Sequence, residues 1–395
     1  MPASIISRSD AEAIIREQVV STIFQDAPKN SVVMSMARKL PNMTSNQTRI
    51  RVLDFLPTAY WVDGDTGMKQ TTHQAWDNVY IEAGELAVIV PIPEAVLSDA
   101  EFDIMGEVTP RVNEAIGQKV DAAIVFGDNR PKNWQLDIIS LARQAGNNVS
   151  PADGKDFYDL ILGEEGVFSK VENDGYGVSG ALAPLNFKAK LRGLRDANGQ
   201  PIFNKNPQSK TMYELDGTAL TFPENGSFHP EIAQLIAGDF SQMVYSIRQD
   251  VTVKILDQGV IQDPSSKEIV YNLAQQDMIA LRVVFRMGWA LPNPATRLNE
   301  DRTGCAFAYL EPGTPVTTQT VTITVQDSES AAIEGARVNI EGAILKTNES
   351  GQVVFNLRKG TYTAKISAKG YINATQTVSV DASAASATVK LTKSE

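Results

Sequence analysis

Few residues in this chain could do chemistry, and their spacing argues against most of it. The hexapeptide GYGVSG, Gly175–Gly180, matches G-x-G-x-x-G, and Asp196 follows about twenty residues on. In a dinucleotide site the glycines carry the chain off a buried strand onto a helix N-terminus, where the pyrophosphate sits. Here the polar segment SKVEND precedes the match, so a flexible loop is the better reading. The two histidines, His73 and His229, lie far apart, and neither has a second ligand at helical or turn spacing. A lone cysteine, Cys305, excludes an internal disulfide and a thiolate cluster. No serine sits in a nucleophile elbow. Glu164 and Glu165 fall in a polar turn and read as solvated surface. The expectation is a protein that is not an enzyme, with no catalytic residue, no cofactor and no metal.

The elements that would have to position a site are more informative. The chain has 395 residues, 43% hydrophobic and 21% charged, enough for two or three domains and a large core. Its net charge is −11. A protein that grips nucleic acid through its phosphates would be basic, so tight DNA binding is not expected. The N-terminal MPASIISRSDAEAIIREQ has no apolar core of signal-peptide length, and no run in the chain approaches a membrane span.

Ser9 to Ala27 predicts a helix, with a Ser9/Glu12 capping box and Ile14, Ile15, Val19 and Ile23 on one side. Pro28 ends it, and this arm should pack on the body or on another subunit. Gln47 to Val62 alternates like a strand, and Asn78 to Val90 does so again. Between them Asp63 to Asp77 is polar. The pair predicts a long hairpin with a polar tip flanked by Trp61 and Trp76, an arm that lies on a partner. In GELAVIVPIPEAVLSD, Gly84 to Asp99, the apolar run Leu86–Val90 predicts a buried strand that Pro91 and Pro93 terminate. Ser98 and Glu101 form a second capping box. Ile104, Val108, Val112, Ile116, Val120 and Ile124 then mark one stripe of a long helix from Asp99 to Val125, kinked at Pro110 and stopped by Gly127-Asp128. Helices are also expected at Asp156–Val171 and Leu182–Leu194, strands at Ile236–Leu256, and a central strand at Asp277–Leu291.

Composition shifts at LEPGTPVTTQT, Leu310 to Thr320, which reads as a linker. Beyond it TVTITV, GARVNI, GQVVFNL, GTYTAKISA and TQTVSV are short alternating runs separated by turns, the pattern of a β-sandwich. This tail has eight basic and seven acidic residues, so the acidity belongs to the body.

Three stretches together resemble the major capsid proteins of tailed bacteriophages with the Hong Kong 97-type fold. The first runs from AGELAVIVPIPEAVLSD through the long helix to DAAIVFGD, where Asp121, Ala122, Ala123, Gly127 and Asp128 stand at the family's helix-end positions. The others are LIAGDFSQMVYSIRQDVTVKIL and AQQDMIALRVVFRMGWALPNPATRLN. The tail is similar to bacterial immunoglobulin-like or carboxypeptidase-regulatory-like domains. The resemblance implies an α+β, Hong Kong 97-like fold: an N-terminal arm at 1–46, an extended loop at 47–90, peripheral and axial domains at 91–310, a linker at 311–318 and a sandwich at 319–393.

The implied function is geometric. Such a subunit self-assembles into pentamers and hexamers of an icosahedral head around double-stranded DNA, without sequence-specific DNA contacts. It acts in the virion, assembled in the host cytoplasm. Trp61, Lys69 and Trp76 of the loop, and Ile14 and Ile15 of the arm, become the candidate inter-subunit contacts. One branch of the family cross-links a loop lysine to a neighbour's asparagine; Lys69 is the matching type, but no partner pattern accompanies it. The implied partners are a separate scaffolding protein, since the N-terminal arm is short, with a portal and cement proteins. A host-surface carbohydrate is the implied ligand of residues 319–393, read as an outer decoration dispensable for assembly. No membrane is involved. Competing readings are an encapsulin-type nanocompartment shell, a cell-surface adhesin and a nucleotide-binding oxidoreductase.

Overall fold

The computed structural model describes residues 30–57, 59, 74–99, 104–151, 156–194, 214–263, 266–313, 318–381 and 383–393. Along the chain the first elements are α1 (Val32–Met36), β1 (Arg38–Lys39), β2 (Gln47–Phe55), β3 (Ala75–Glu82), β4 (Gly84–Pro93), α2 (Glu94–Asp99) and α3 (Ile104–Val125). Next come α4 (Ile138–Gln144), β5 (Asn148–Val149), α5 (Phe157–Leu162), α6 (Val167–Asn173), β6 (Gly180–Leu182) and α7 (Phe187–Gly193). Then follow β7 (Glu214–Leu215), β8 (Thr218–Thr221), β9 (Leu235–Gly238), β10 (Val244–Leu256), β11 (Val260–Gln262), β12 (Ile269–Asn272), β13 (Met278–Ala290) and β14 (Phe307–Leu310). The tail adds β15 (Gln319–Asp327), β16 (Arg337–Ile340), β17 (Ala343–Lys346), β18 (Gln352–Leu357), β19 (Gly360–Ser367), β20 (Ala374–Val380) and β21 (Ala385–Leu391).

Contacts divide the chain into two compact units. Among the described residues the first unit comprises 89–99, 104–112, 254–263 and 266–282. In it β11 pairs antiparallel with β12, and the Glu94 N–H that opens α2 donates to the Asp277 carbonyl at 2.9 Å. Its buried apolar residues include Ile92, Val112, Leu273, Ala280 and Leu281.

The second unit holds the remainder. Its largest sheet has the order β5-β14-β9-β6-β8-β7, with α4 and α6 packed on β14. The strands β14 and β9 are buried at every position, as expected of a sheet covered on both faces. The tail forms two sheets, β18-β15-β21 and β17-β16-β19-β20. Burial alternates strictly along β18 and β19, so one face of each sheet supplies the inner layer.

The long helix keeps the later part of its predicted stripe: Val112, Ile116, Val120 and Ile124 are buried and Val108 is half-buried. Its end also matches, because Gly127 adopts φ +77° and the Asp128 N–H reaches back to the Ala122 carbonyl at 3.3 Å. The expected cap at its start is not found at Ser98, which lies inside helix α2, where its Oγ donates to the Ala95 carbonyl instead of capping a new helix. Glu101 lies outside the described residues, as does the helix expected at Ser9–Ala27.

Other expectations change for local reasons. The prolines do not end the apolar strand: β4 runs through Pro91 to Pro93, and Val88 and Ile89 are exposed. This strand is the last in the order β1-β10-β13-β4, and an edge strand tolerates prolines because its outer N–H groups need no partner. The run expected as one strand from Asn78 breaks at Ala83 into β3 and β4. The helix expected at Asp156–Val171 splits into α5 and α6 around Gly163–Gly166, with Glu164 and Glu165 in the turn. Leu182 ends a strand, Pro184 follows, and only Phe187–Gly193 is helical. Within Ile236–Leu256 the strand expected after the Gly238-Asp239 turn is present: a 3-10 turn at Phe240–Gln242 follows Asp239, and β10 then runs from Val244 to Leu256.

Candidate assembly surface and the clusters that position it

The hairpin β2–β3 is two-faced. Its ladder pairs Arg49 with Tyr80, Arg51 with Asn78 and Leu53 with Trp76. Partners directly opposite share a face, so these residues line one side. Arg49, Arg51, Trp76, Asn78 and Tyr80 are all exposed there, Trp76 at 63% and Tyr80 at 44%. The other side carries Val52 and Ile81, 4% and 0% exposed, with half-buried Ile50 and Val79. Ile81 belongs to a core cluster with Met43, Ala83, Val244 and Ala290, against which Ile50 and Val79 pack. The strand is thus rooted by its inner face and presents aromatics and arginines outward. A buried tryptophan, Trp134, adds a bond from its indole N–H to the Glu82 carbonyl at 3.0 Å.

At the other end of the same inner face sits a charge cluster. The Arg302 guanidinium is almost fully buried, and its Nη1 lies 3.1 Å from Asp54 and 3.0 Å from Asp77. Its Nε donates to the Asn293 carbonyl at 2.8 Å. Arg337 of β16 reaches the same Asp54 oxygen at 2.7 Å. A buried arginine is tolerable because every face of its fork meets an acceptor.

A third cluster fixes the entry to the body. The carboxylate of Asp121 on α3 is buried and accepts from Ser31 Oγ at 2.5 Å, Val32 N at 2.9 Å, Val33 N at 3.2 Å and Asn225 Nδ2 at 2.8 Å. Two of those donors are orphan amides of the first turn of α1, so a side chain from another element completes the cap. Burial raises the Asp121 carboxyl above its ordinary value, and the four donors pull it part of the way back.

Of the contact residues expected from the sequence, Trp76 stands on the exposed face. Ile14, Ile15, Trp61 and Lys69 lie outside the described residues, as does His73. Arg49, Arg51 and Tyr80 were missed, although the alternation of 47–55 and 75–82 carried the signal. Arg302 was missed for a different reason: a lone arginine in the loop NEDRTGC has no pattern to mark it.

The chemically suggestive residues have structural duties. Gly175 turns the chain at φ +82°, but Gly180 leads into strand β6, the reverse of a dinucleotide-binding order. Tyr176 within that hexapeptide is buried, bonds Asn293 at 2.5 Å, and has its phenol pushed up to about 12 by burial. His229 bridges Asp128 at 2.6 Å and Glu231 at 3.0 Å, and stacks edge-on against Phe126. Among the described residues no group of three or more histidine, cysteine or acidic side chains could hold a metal, and no helix is long and apolar enough to cross a membrane. The Cys305 thiol is buried, and its pKa is pushed up to about 12 by that burial. A thiol reagent at pH 8 should therefore leave the native protein unmodified and label it once on unfolding; native labelling at the rate of free cysteine would contradict this packing.

Comparison with known proteins adds an independent line. Residues 11–296 match the family model described as the phage capsid family, and residues 320–392 match the carboxypeptidase regulatory-like domain. The major capsid protein of Staphylococcus phage 80alpha is 24% identical over 313 residues, covering 79% of this chain and 89% of its own length. A solved structure from Microbacterium phage Oxtober96 is 33% identical, with a TM-score of 0.67, and covers 78% of this chain and 100% of that one. Another, from Mycobacterium phage Adephagia, is 30% identical with a TM-score of 0.69, covering 80% and 100%.

Proposed function

Because this chain belongs to the phage capsid family, as a major capsid protein and a component of the virion, we propose that it closes its shell through the outward face of the β2–β3 hairpin laid on a neighbouring copy. The carrying observation is the two-faced ladder. An exposed tryptophan and tyrosine flanked by Arg49 and Arg51 is the composition of an interface core, not of a solvated strand. The acidic body, at net charge −11 overall, complements cationic residues on a neighbour's hairpin. Repetition by closed symmetry lets many modest contacts of this kind sum to a stable shell.

The proposal extends to pentamers and hexamers as the assembling units, to Ile14, Ile15, Trp61 and Lys69 as further contacts, and to an outward-facing sandwich with an affinity for surface carbohydrate. It includes packaged double-stranded DNA held without sequence-specific contacts. The net acidity supports this, because strong phosphate binding would pin the genome. Separate scaffolding, portal and cement proteins complete the proposed set of partners.

The test is electron microscopy of the expressed protein beside the variant Trp76→Ala with Tyr80→Ala. Wild type should give closed shells. The double variant should stay soluble and folded by circular dichroism while closed shells fall at least tenfold, since interface aromatics commonly contribute about 2 kcal/mol or more each. Normal shells from the variant would remove the hairpin face from the assembly contact.

A further inference from the structure

The C-terminal sandwich and the body residues of the second unit belong to one compact unit, and polar seams join them. Arg130 bonds Glu341 at 2.9 Å while its other nitrogen donates to the carbonyls of Trp134 and Gln135, and the Leu136 N–H donates to the Glu341 carbonyl at 2.7 Å. Gln144 of α4 uses both amide atoms on Asn356: its Oε1 accepts from the Asn356 N–H at 3.0 Å and its Nε2 donates to the Asn356 carbonyl. Asn356 lies on β18, an outer strand of its sheet, so the glutamine closes an edge that would otherwise be open. Arg358 donates to the Phe126 carbonyl at 2.6 Å, at the end of the long helix. These bonds anchor the sandwich far more firmly than a tethered decoration needs.

The seam at Arg337 has a further consequence. At the hairpin base Arg302 meets Asp54 and Asp77, and Arg337 meets Asp54, so two cations stand beside two anions. Asp54 and Asp77 sit on the two strands of the hairpin, and Arg302 belongs to the body. Only Arg337 comes from the sandwich. Without it Asp54, 20% exposed, must share the 4%-exposed Arg302 with Asp77, whose own 50% exposure leaves water as its alternative partner while Asp54 has little. A carboxylate as covered as Asp54 is destabilising when it loses a cation, though less than a fully buried one would be.

We infer that the sandwich is an internal brace for the β2–β3 hairpin, neutralising and pinning its base through Arg337. The brace reaches beyond the capsid reading, because it assigns the added domain a duty inside the subunit. It adds this duty to the outer-surface role proposed for the tail and predicts that assembly depends on it.

Hydrogen exchange on the full-length subunit tests this without depending on shell formation. Arg337→Gln should speed exchange in the peptides covering β2 and β3 about tenfold, the scale expected when a charge-assisted bond in a half-buried site is lost. Arg337→Lys, which keeps the charge, should stay within about threefold of wild type. Asp54→Asn alone should also speed exchange, by leaving one cation in excess. The double variant Asp54→Asn with Arg337→Gln restores the balance between Arg302 and Asp77 and should recover most of the protection. Lys346→Gln, which removes the more exposed Lys346–Asp301 pair, is the control and should leave the hairpin unchanged. Should Arg337→Gln fail to fold, folding of the double variant becomes the readout. Faster exchange confined to the sandwich after Arg337→Gln, or no rescue by Asp54→Asn, would overturn the brace.

Discussion

Asp121→Ala should destabilise the subunit by about 3–5 kcal/mol, because it strands four donors at once in a buried site, each costing about 1–3 kcal/mol with some recovered through water. The donors are the Ser31 hydroxyl, the Val32 and Val33 amides and the Asn225 side chain. Three of them belong to the segment that leads into α1, whose Ser31 Oγ also accepts from Met34 N at 3.1 Å. Losing Asp121 therefore undoes the start of α1 and its attachment to α3 together. Asp121→Asn should recover part of the loss, since its side-chain oxygen still accepts two of the four bonds while its amide nitrogen meets the other two donors. Denaturant unfolding followed by tryptophan fluorescence reads the effect. A midpoint for Asp121→Ala indistinguishable from wild type would remove the capping role. A pH series adds a signed check. The folded carboxyl binds its proton more tightly than the ordinary value of 3.8, so its contribution is complete below that value and declines as pH rises through the folded one. The stability difference between wild type and Asp121→Asn should accordingly shrink from acid toward neutral pH.

Gly288→Ala should cost about 3 kcal/mol, at the upper end for a single added methyl in a packed core, and should also impair shell formation. Gly288 lies in β13, and a Cβ there would stand 2.4 Å from the Glu82 carbonyl oxygen and 2.5 Å from Ile81 Cγ2. Neither can rotate aside: one is backbone, and the other belongs to a side chain with 0% exposure. The end of β3 would have to withdraw, opening the cluster of Met43, Ile81, Ala83, Val244 and Ala290 and disturbing the bond from Trp134 to the same Glu82 oxygen. Gly177→Ala, with nothing within 4 Å of the added atom, is the matched control and should be neutral. Thermal unfolding and microscopy of both variants decide the matter; equal melting of the two would mean the hairpin root is softer than its packing implies.

Much of this protein is legible in its sequence where a periodicity acts locally. The stripe from Val112 to Ile124 and the stop at Gly127 are decided by 3.6-residue spacing and by one backbone angle that glycine tolerates. Alternation in 319–391 specifies strands with an inner and an outer face, whatever they pack on. The scarcity of histidine and cysteine and the misplaced G-x-G-x-x-G likewise argued against chemistry without any coordinates. Tertiary structure decided what spacing cannot encode. Whether Leu86–Val90 is buried depends on its sheet position, and an edge strand exposes the apolar residues that a central strand would cover. Arg302 gains its meaning only when Asp54 and Asp77 are brought to it from the hairpin and Arg337 from beyond residue 330. Asp121 could be placed on a helix from the sequence, but the amides it caps lie about ninety residues upstream. Local pattern is set by the geometry of one element, whereas a polar cluster is set by which distant elements converge, and only the folded chain holds that information.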